Sequence, residues 1–366
     1  MSRILKDEGV TIKDIARIAK VSPSTVSLVM NDKPGVHDET RYRVHKIAQA
    51  LNYRPNLVAR SLVKGRSHAI AMLITSTLNP IFPEMAAGMD EVLRKHGYSL
   101  SIISTHGDDE VEAIEIEKIR ARGIDGIITS DALVDDENIK DLVKSGYPVV
   151  SVLRRIYDCE ELDFVVVDGI KGGYIAAEHL IRLGHTRIGL INGPLNTSTG
   201  MERAGGAIKA FEDYGLPVEG ELIHQGDFFK ESGYVGTRQF LKLNSKRRPT
   251  AIFAGNDEMA LGAFEAIWEA GLKVPQDTAL VGFNNVATTA LRSIEITTVS
   301  QNKQEMGRLG VKRLIDKIEK NRGYKKPYRI VLEPSLIIRK SCGFSASSGY
   351  LLPESNRRQI STSSHI

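Results

Sequence analysis

Along the first fifty residues apolar side chains fall at helical intervals: Ile12, Ile15, Ala16 and Ala19, then Val26 and Val29, then Val44, Ile47, Ala48 and Leu51. Three short amphipathic helices follow from this spacing. Val21 and Ser22 make the turn between the first two, and Pro23 opens the second, a position where its missing N–H costs nothing. That second helix, about Pro23 to Met30, buries Val26 and Val29 and leaves Ser22, Ser24, Thr25, Ser27 and Leu28 free. The third runs from about Asp38, read as an N-cap, to Leu51, with Arg41, Arg43 and Lys46 on the wet side. The three apolar faces can close one small core.

Beyond His68 the pattern changes to short apolar runs alternating with helix-length amphipathic segments: AIAMLI, SLSII, GIIT, PVVSV, FVVV, IGLI, TAIFAG, ALVGF and TTVS. Such alternation predicts an α/β body with parallel sheets and crossover helices. The strands are too many for one small sheet, so two doubly wound subdomains are expected, about residues 68–153 with 300–325 and about 154–296 with 326–344. Ligands in such sheets bind outside the carboxyl ends of the strands, which places a pocket between the subdomains. The loops that would converge there are Ser76–Phe82, Leu153–Arg155, Asn196–Arg203, Gly226–Phe229, Asn256–Asp257 and Asn284–Asn285. They are rich in hydrogen-bond donors. Gly172-Gly173 and Gly205-Gly206 lie inside helices, where small residues permit close packing.

With 366 residues and 42% hydrophobic content the chain can bury a sizeable core and divide into two or three domains. Charge is uneven: residues 1–66 hold 13 Lys and Arg against 6 Asp and Glu, a net +7, leaving 36 against 39, a net −3, in the remainder. The basic excess therefore sits on the helical head, the footprint of a polyanion partner. Only Cys159 and Cys342 occur, which excludes a disulfide framework or a Cys-built metal site and fits a reducing compartment. No apolar signal core opens the chain and no run approaches a membrane span, so a cytoplasmic protein without membrane contact is expected.

The stretch VTIKDIARIAKVSPSTVSLVMN with LNYRPNLVARSL is similar to the head and hinge of the lactose/galactose repressor (LacI/GalR) family of bacterial transcription regulators, and the resemblance continues to about Arg339. It implies a helix-turn-helix DNA-binding domain over residues 1–55, a hinge helix and linker over 56–67, and a ligand-binding and dimerisation domain over 68–344. Asn56–Val63 spans only about two turns, too short for a helix to persist alone, so it would fold against a partner. The resemblance implies that two such hinges pair in the minor groove, Leu62 wedging between base pairs with Ala59 close to the backbone. It places Pro23, Ser24 and Leu28 at base-reading positions and Thr25 and Asn31 nearer phosphates or flanking bases, with Thr11, Ser22, Ser27, Tyr53, Asn56 and Arg60 completing the DNA-contacting set. None of Pro23, Ser24 and Leu28 is a long polar side chain able to hold a base edge bidentately, so groove shape, thymine methyls and the hinge are expected to carry much of the specificity. Lys20 departs from the family pattern, standing in a turn position usually held by Gly or Asn.

For the cleft, the resemblance implies that Phe228 stacks on an effector, that Arg203, Asn256 and Asn284 hydrogen-bond it, and that Thr199 and Phe82 line it. Phe82 could equally serve as a staple for the helix it opens. Two carboxylates of the family's sugar sites are absent here: GFNN replaces GFDD or GYDD, and Leu153 stands where Asp is common before Arg154. With Arg154, Arg155 and Arg203 nearby, the pocket's charge turns positive, pointing to an effector with a carboxylate or phosphate unless these arginines pair with Glu160, Glu161 or Glu202 around an ordinary sugar. Thr197 occupies the place of a ligand-reading Arg in a purine-responsive member, which argues against a purine base.

No cofactor, metal site or catalytic residue is expected. His179 and His185 lack a companion ligand cluster, no P-loop is present, and no nucleophile, base and orienting group stand at readable spacing. The Ser-rich stretch 345–366 carries no heptads and is expected to be disordered; the resemblance, with no counterpart here to the tetramerising C-terminal coil of a tetrameric family member, implies a homodimer. The sequence thus reads as a ligand-responsive regulator, most simply a repressor, binding a pseudo-palindromic double-stranded DNA operator as a dimer. The rival readings are a solute-binding protein without DNA function and an enzyme using the cleft.

Overall fold

A computed structural model describes residues 10–53, 66–320 and 327–345. The chain divides into two compact units, Met1–Ser67 and His68–Ile366.

In the first unit, α1 (Ile12–Ala19), α2 (Pro23–Met30) and α3 (Asp38–Ala50) enclose a core of Ile15, Ala16, Ala19, Val26, Val29, Val44 and Ala48, with Ile47, Leu51 and Tyr53 packed against it. Seven small or β-branched side chains suffice because the helices are short and cross closely. Asp14 locks the start of α1 by accepting from the backbone N–H of Thr11 at 3.1 Å and from its hydroxyl at 2.7 Å. Ser22 caps α2, its Oγ accepting from the Thr25 N–H at 3.0 Å. Two expectations are corrected. Asp38 is the first helical residue of α3 and His37 the N-cap, so Asp38 acts through its charge in the first turn, not as a cap. Arg41 does not stay in solvent: it donates to the Lys33 carbonyl at 2.6 Å and reaches Asp32 at 3.4 Å, tying the loop between α2 and α3 to the third helix.

Lys20 ends α1 in the left-handed region at φ 55° and ψ 47°. An L-residue with a Cβ pays about 1–2 kcal/mol there, which glycine avoids in exchange for part of that in unfolded-state entropy.

In the second unit two six-stranded sheets share one plan. The first runs β11-β5-β4-β3-β1-β2, from β1 (Ala69–Ile74), β2 (Ser99–Ser104), β3 (Gly126–Thr129), β4 (Val149–Val152), β5 (Asp163–Val167) and β11 (Arg329–Leu332). The second runs β12-β10-β9-β8-β6-β7, from β6 (Ile188–Asn192), β7 (Ile223–Gln225), β8 (Ala251–Ala254), β9 (Ala279–Asn284), β10 (Thr297–Ser300) and β12 (Ser335–Ile337). All pairings are parallel except β10 with β12. Strands β3, β4, β6, β8 and β9 are buried along their whole length, because helices cover both faces of each sheet.

The chain leaves the first lobe one strand later than expected. β5 pairs with β4 in the register Ser151↔Phe164, and β11 pairs with β5, so both belong to the first sheet. The reason is chemical as well as topological: Asp163, at the start of β5, is held by Arg313 at 3.0 Å and Lys317 at 3.0 Å, both on the helix Lys303–Lys320 that packs on the first sheet. The expected boundary at residues 153–154 thus falls in a loop between two neighbouring strands of that lobe, β4 and β5.

Paired glycines set the helix spacing. A Cβ at Gly173 would lie 2.0 Å from the Arg203 carbonyl, and one at Gly206 2.0 Å from the Ile170 carbonyl, so the helices Gly169–Arg182 and Ser198–Asp213 touch backbone to backbone. Gly172 meets the Phe283 ring in the same way, whereas Gly205 faces open space and has no packing role. Among the described residues no helix is long and apolar enough to cross a membrane.

Replacing Lys20 with Gly is expected to stabilise the head by about 0.5–1 kcal/mol. Amide hydrogen exchange of the Val26 and Val44 N–H groups in the full-length protein checks this: protection should rise severalfold, and unchanged exchange would show that the left-handed turn is not strained.

Candidate ligand cleft and nucleic-acid interface

At the carboxyl ends of both sheets lies a cavity of about 230 Å³. All seven residues expected there line it: Phe82, Arg154, Thr199, Arg203, Phe228, Asn256 and Asn284. Asn79 and Asn196 join them from two of the expected loops, whereas Thr75, His106, Gly107, Leu133 and Pro194 also line the cavity and were not anticipated. A signal existed for His106-Gly107, a turn directly after β2. None existed for Leu133, whose loop is brought in by long-range pairing of the Val134 N–H with the Asn196 carbonyl at 2.9 Å.

Non-glycine residues in the left-handed half of backbone space gather here: Leu153 at φ 82°, Phe228 at 71°, His106 at 60° and Asn284 at 119°. Backbone strain of this kind persists where surrounding structure over-determines it, and it marks ligand clamps. Two of the four are held visibly. The Phe228 carbonyl accepts from Asn256 Nδ2 at 2.8 Å, and its ring lies so close to Gly193 that a Cβ there would sit 2.0 Å away. Asn284 is pinned from both sides, Oδ1 accepting from Gln301 Nε2 at 2.6 Å and its carbonyl from Lys303 Nζ at 2.6 Å.

These bonds redistribute the expected roles. Asn256 spends Oδ1 on the Met259 N–H and one amide hydrogen on Phe228, so much of its side chain positions the ring. Phe82 is both lining and staple: only 2% exposed, it belongs to the core of the first lobe. Thr199 stands at the start of its helix, beside Thr197, whose Oγ caps that helix by accepting from the Gly200 N–H at 3.1 Å.

The arginines divide. Arg155 pairs with Glu202 at 2.6 Å, across the two lobes, and Tyr157 donates to the same carboxylate at 3.2 Å. Arg154 and Arg203 take no such partner. Arg154 donates to the Asp131 carbonyl at 2.5 Å and Arg203 to the Gly255 carbonyl at 2.7 Å, and Nε of each has no hydrogen-bond partner. Burial disfavours both charged forms, pulling Arg203 down to about 9 and Arg154 to about 10; Arg154 itself adds to the depression at Arg203. Arg203 lies 3.9 Å over the Phe283 ring, and both guanidiniums stand about 6 Å from the Phe228 ring, Arg154 at 6.0 Å and Arg203 at 5.8 Å.

The cleft is fastened on both flanks. Besides Arg155 with Glu202, the Arg155 N–H reaches Ser198 Oγ at 3.0 Å. On the other flank Lys303 of the first lobe joins Glu84 at 3.0 Å to the Asn285 carbonyl at 2.5 Å in the second.

In the head, Thr11, Ser22, Pro23, Ser24 and Leu28 are exposed, Leu28 by 38%, and Thr25, Ser27, Asn31 and Tyr53 are half-buried. Ser22, Ser24 and Thr25 form one hydroxyl cluster, with Oγ–Oγ distances of 2.7 and 2.8 Å from Ser22. Asn31 Nδ2 donates back to the Ser27 carbonyl at 2.8 Å. Asn56, Ala59, Arg60 and Leu62, together with the hinge helix and the stretch 346–366, lie outside the described residues. Among the described residues no group of three or more His, Cys, Asp or Glu side chains could hold a metal ion.

A helix-turn-helix head joined to a two-lobed body with a strained, donor-rich cleft is the plan of a ligand-responsive transcription regulator. Residues 11–56 match the family model of bacterial regulatory proteins of the lacI family, and residues 67–338 that of periplasmic binding proteins and the sugar-binding domain of the LacI family; the chain belongs to the LacI family. It is 33% identical over 331 residues to the HTH-type transcriptional repressor PurR of Aliivibrio salmonicida and 34% identical to that of Actinobacillus pleuropneumoniae, covering 90% of this chain and 98% of each relative. A solved lac repressor dimer bound to operator and the anti-inducer ONPF matches with TM-score 0.81 and 28% identity over 92% of this chain and 99% of that one. A complex of the transcriptional regulator CelR with cellobiose matches with TM-score 0.68 and 28% identity over 91% and 99%.

Replacing Lys303 with Met should remove a buried fastening of the cleft and destabilise the body by about 2 kcal/mol, since charged hydrogen bonds to two carbonyls and a carboxylate are lost together. A lower urea midpoint and a larger radius of gyration by small-angle X-ray scattering are the expected results. An unchanged midpoint would mean that Lys303 is not a fastening.

Proposed function

We propose that the protein represses transcription by binding a pseudo-palindromic operator as a homodimer, with a small-molecule effector in the cleft deciding between lobe arrangements. The observation that carries this is the head itself. The amino end of α2, with Ser22, Pro23, Ser24 and Leu28, is left exposed by a core that needs only its Val26 and Val29 face, in a segment of net charge +7. A bundle built only for stability has no need of an uncovered, hydroxyl-tipped helix end on a basic surface. The family is one of regulators bearing operator and ligand together, which supports the reading and disfavours the solute-binding and enzymatic alternatives.

Phosphate contacts would come from Thr25, Ser27, Asn31, Tyr53 and Thr11, base contacts from Pro23, Ser24 and Leu28. The hinge residues Asn56, Ala59, Arg60 and Leu62 would follow the minor groove, Leu62 as its wedge. An effector changes operator affinity only by binding the two lobe arrangements unequally. The cleft fastenings that join Glu202 to Arg155 and Lys303 to Asn285 are what such a ligand would reinforce or oppose. Such a regulator works in the cytoplasm, where its DNA lies.

Capture of genomic fragments by the full-length protein at near-physiological salt, followed by footprinting, tests this. A two-fold-symmetric protected site is expected, with affinity falling steeply as salt rises. Leu62→Ala should weaken specific binding more than Ser24→Ala, because most discrimination resides in the deformed central step. The reverse order would place specificity in the major groove, and retention of no fragment with or without cell extract would sink the repressor reading.

A further inference from the structure

We infer that the cleft takes a small acidic ligand whose carboxylate or phosphate is held between Arg154 and Arg203, one from each lobe, against the face of Phe228. The inference rests on the reading of the cleft as the effector site and gives that effector its chemical class.

Both guanidiniums are buried, Arg154 6% and Arg203 3% exposed, and both line the same cavity. Among the described residues neither forms an ion pair, whereas Arg155 and Lys303 on the flanks of the cleft each have a carboxylate. The acidic groups that could have served are already committed. Glu202 is taken by Arg155 and Tyr157. The carboxylates of Asp131 and Asp136 favour the charged form of Arg154 from a distance, but neither pairs with it. Asp131 accepts from the hydroxyls of Thr105 and Thr129 and meets Arg154 only through its backbone carbonyl, and Asp136 accepts from the N–H groups of Leu133 and Ile139. Asp257 accepts from Thr298 Oγ1 at 2.6 Å and the Val286 N–H at 2.8 Å. Asp227, the carboxylate lining the cavity itself, is exposed and accepts from the Phe229 N–H at 2.9 Å.

Two buried like charges facing one cavity, each with an unused Nε–H and no directly paired carboxylate, are a site with room for a further counter-charge. A neutral polyol would leave that charge uncompensated. An oxyanion satisfies it, and guanidinium forks match carboxylate and phosphate geometry. Because Arg154 follows β4 in the first sheet and Arg203 belongs to the helix after β6 in the second, the same anion draws the lobes together. Without it the two cations oppose closure. The ligand's charge, and not only its shape, is then the signal that sets the lobe arrangement. The size of the cavity restricts the remainder of the ligand to a small metabolite, with Phe228 offering a face for its apolar or ring portion.

The test compares matched probes on the full-length protein at constant ionic strength: galactose against galacturonate, glucose against glucose 6-phosphate, and chloride against inorganic phosphate and sulfate. Thermal unfolding and titration calorimetry provide the readouts. Millimolar oxyanions should raise the melting temperature where neutral sugars and chloride do not, and the uronate and sugar phosphate arms tell carboxylate from phosphate. Arg154→Gln and Arg203→Gln should each weaken that response about tenfold or more. Arg154→Gln should also keep or raise the melting temperature of the ligand-free protein, an effect opposite to that of losing a structural arginine. The inference falls if neutral sugars stabilise as well as their acids, if both Gln variants keep the full response, or if no oxyanion shifts the melting temperature. DNA retention measured on the same preparation separates the two readings: retention without an anion response overturns the ligand class alone, and an anion response without retention overturns the repressor reading alone.

Discussion

Two arginines are buried on the walls of one small cavity without a carboxylate in direct ion pair with either, although Asp131 and Asp136 act on Arg154, and Glu202 and Asp257 on Arg203, from further off; the surrounding structure is what makes that tolerable. The Arg203 guanidinium sits 3.9 Å from the centre of the Phe283 ring, and Gly173 lets the Arg203 backbone press against the neighbouring helix, so the side chain is buried. Arg154 is anchored through the Asp131 carbonyl and by Ser151, whose hydroxyl donates to the Arg154 carbonyl at 2.5 Å. Charged groups in so dry a place retain their charge only with strong dipoles or π faces around them, and here both are supplied.

The strained backbone of the cleft belongs to the same design. Leu153, directly before Arg154, and Phe228, against whose ring both guanidiniums lie, occupy left-handed conformations that cost free energy in an unsupported loop. Asn256 supports Phe228 and the Val165 carbonyl holds the Leu153 N–H at 3.0 Å, while Gln301 and Lys303 do the same for the left-handed Asn284. A ligand entering this network meets loops already oriented, so less of its binding free energy goes into ordering them. It also meets bonds that span the lobes, through which occupancy can change their arrangement.

The head obeys a different constraint. Its core is small, so each local device matters: the Thr11–Asp14 bonds, the Ser22 cap, the Arg41 tie to the loop before α3. The amino end of α2 is among the surfaces left exposed after these demands. Stability and surface chemistry are therefore separated residue by residue, Val26 and Val29 inward, Ser24 and Leu28 outward.

Periodicity alone was enough to determine the three head helices and the nine principal strands, because burial of one helix stripe or of a whole strand writes a repeating pattern into the chain. The placement of loop tips around one cleft needed the rule for parallel sheets as well, and the lobe that takes β5 was set by tertiary pairing. The missing carboxylates before Arg154 and after Phe283 were equally visible, being statements about residue identity. Which arginine keeps its charge unmatched was not. That depended on Glu202 meeting Arg155 across 47 residues of chain, on Asp163 drawing β5 into the first sheet through Arg313, and on Lys303 reaching Asn285. Such pairings have no period. They arise only when the fold brings distant polar groups within hydrogen-bond reach, and tertiary structure alone decides which charges are spent and which are left for a ligand.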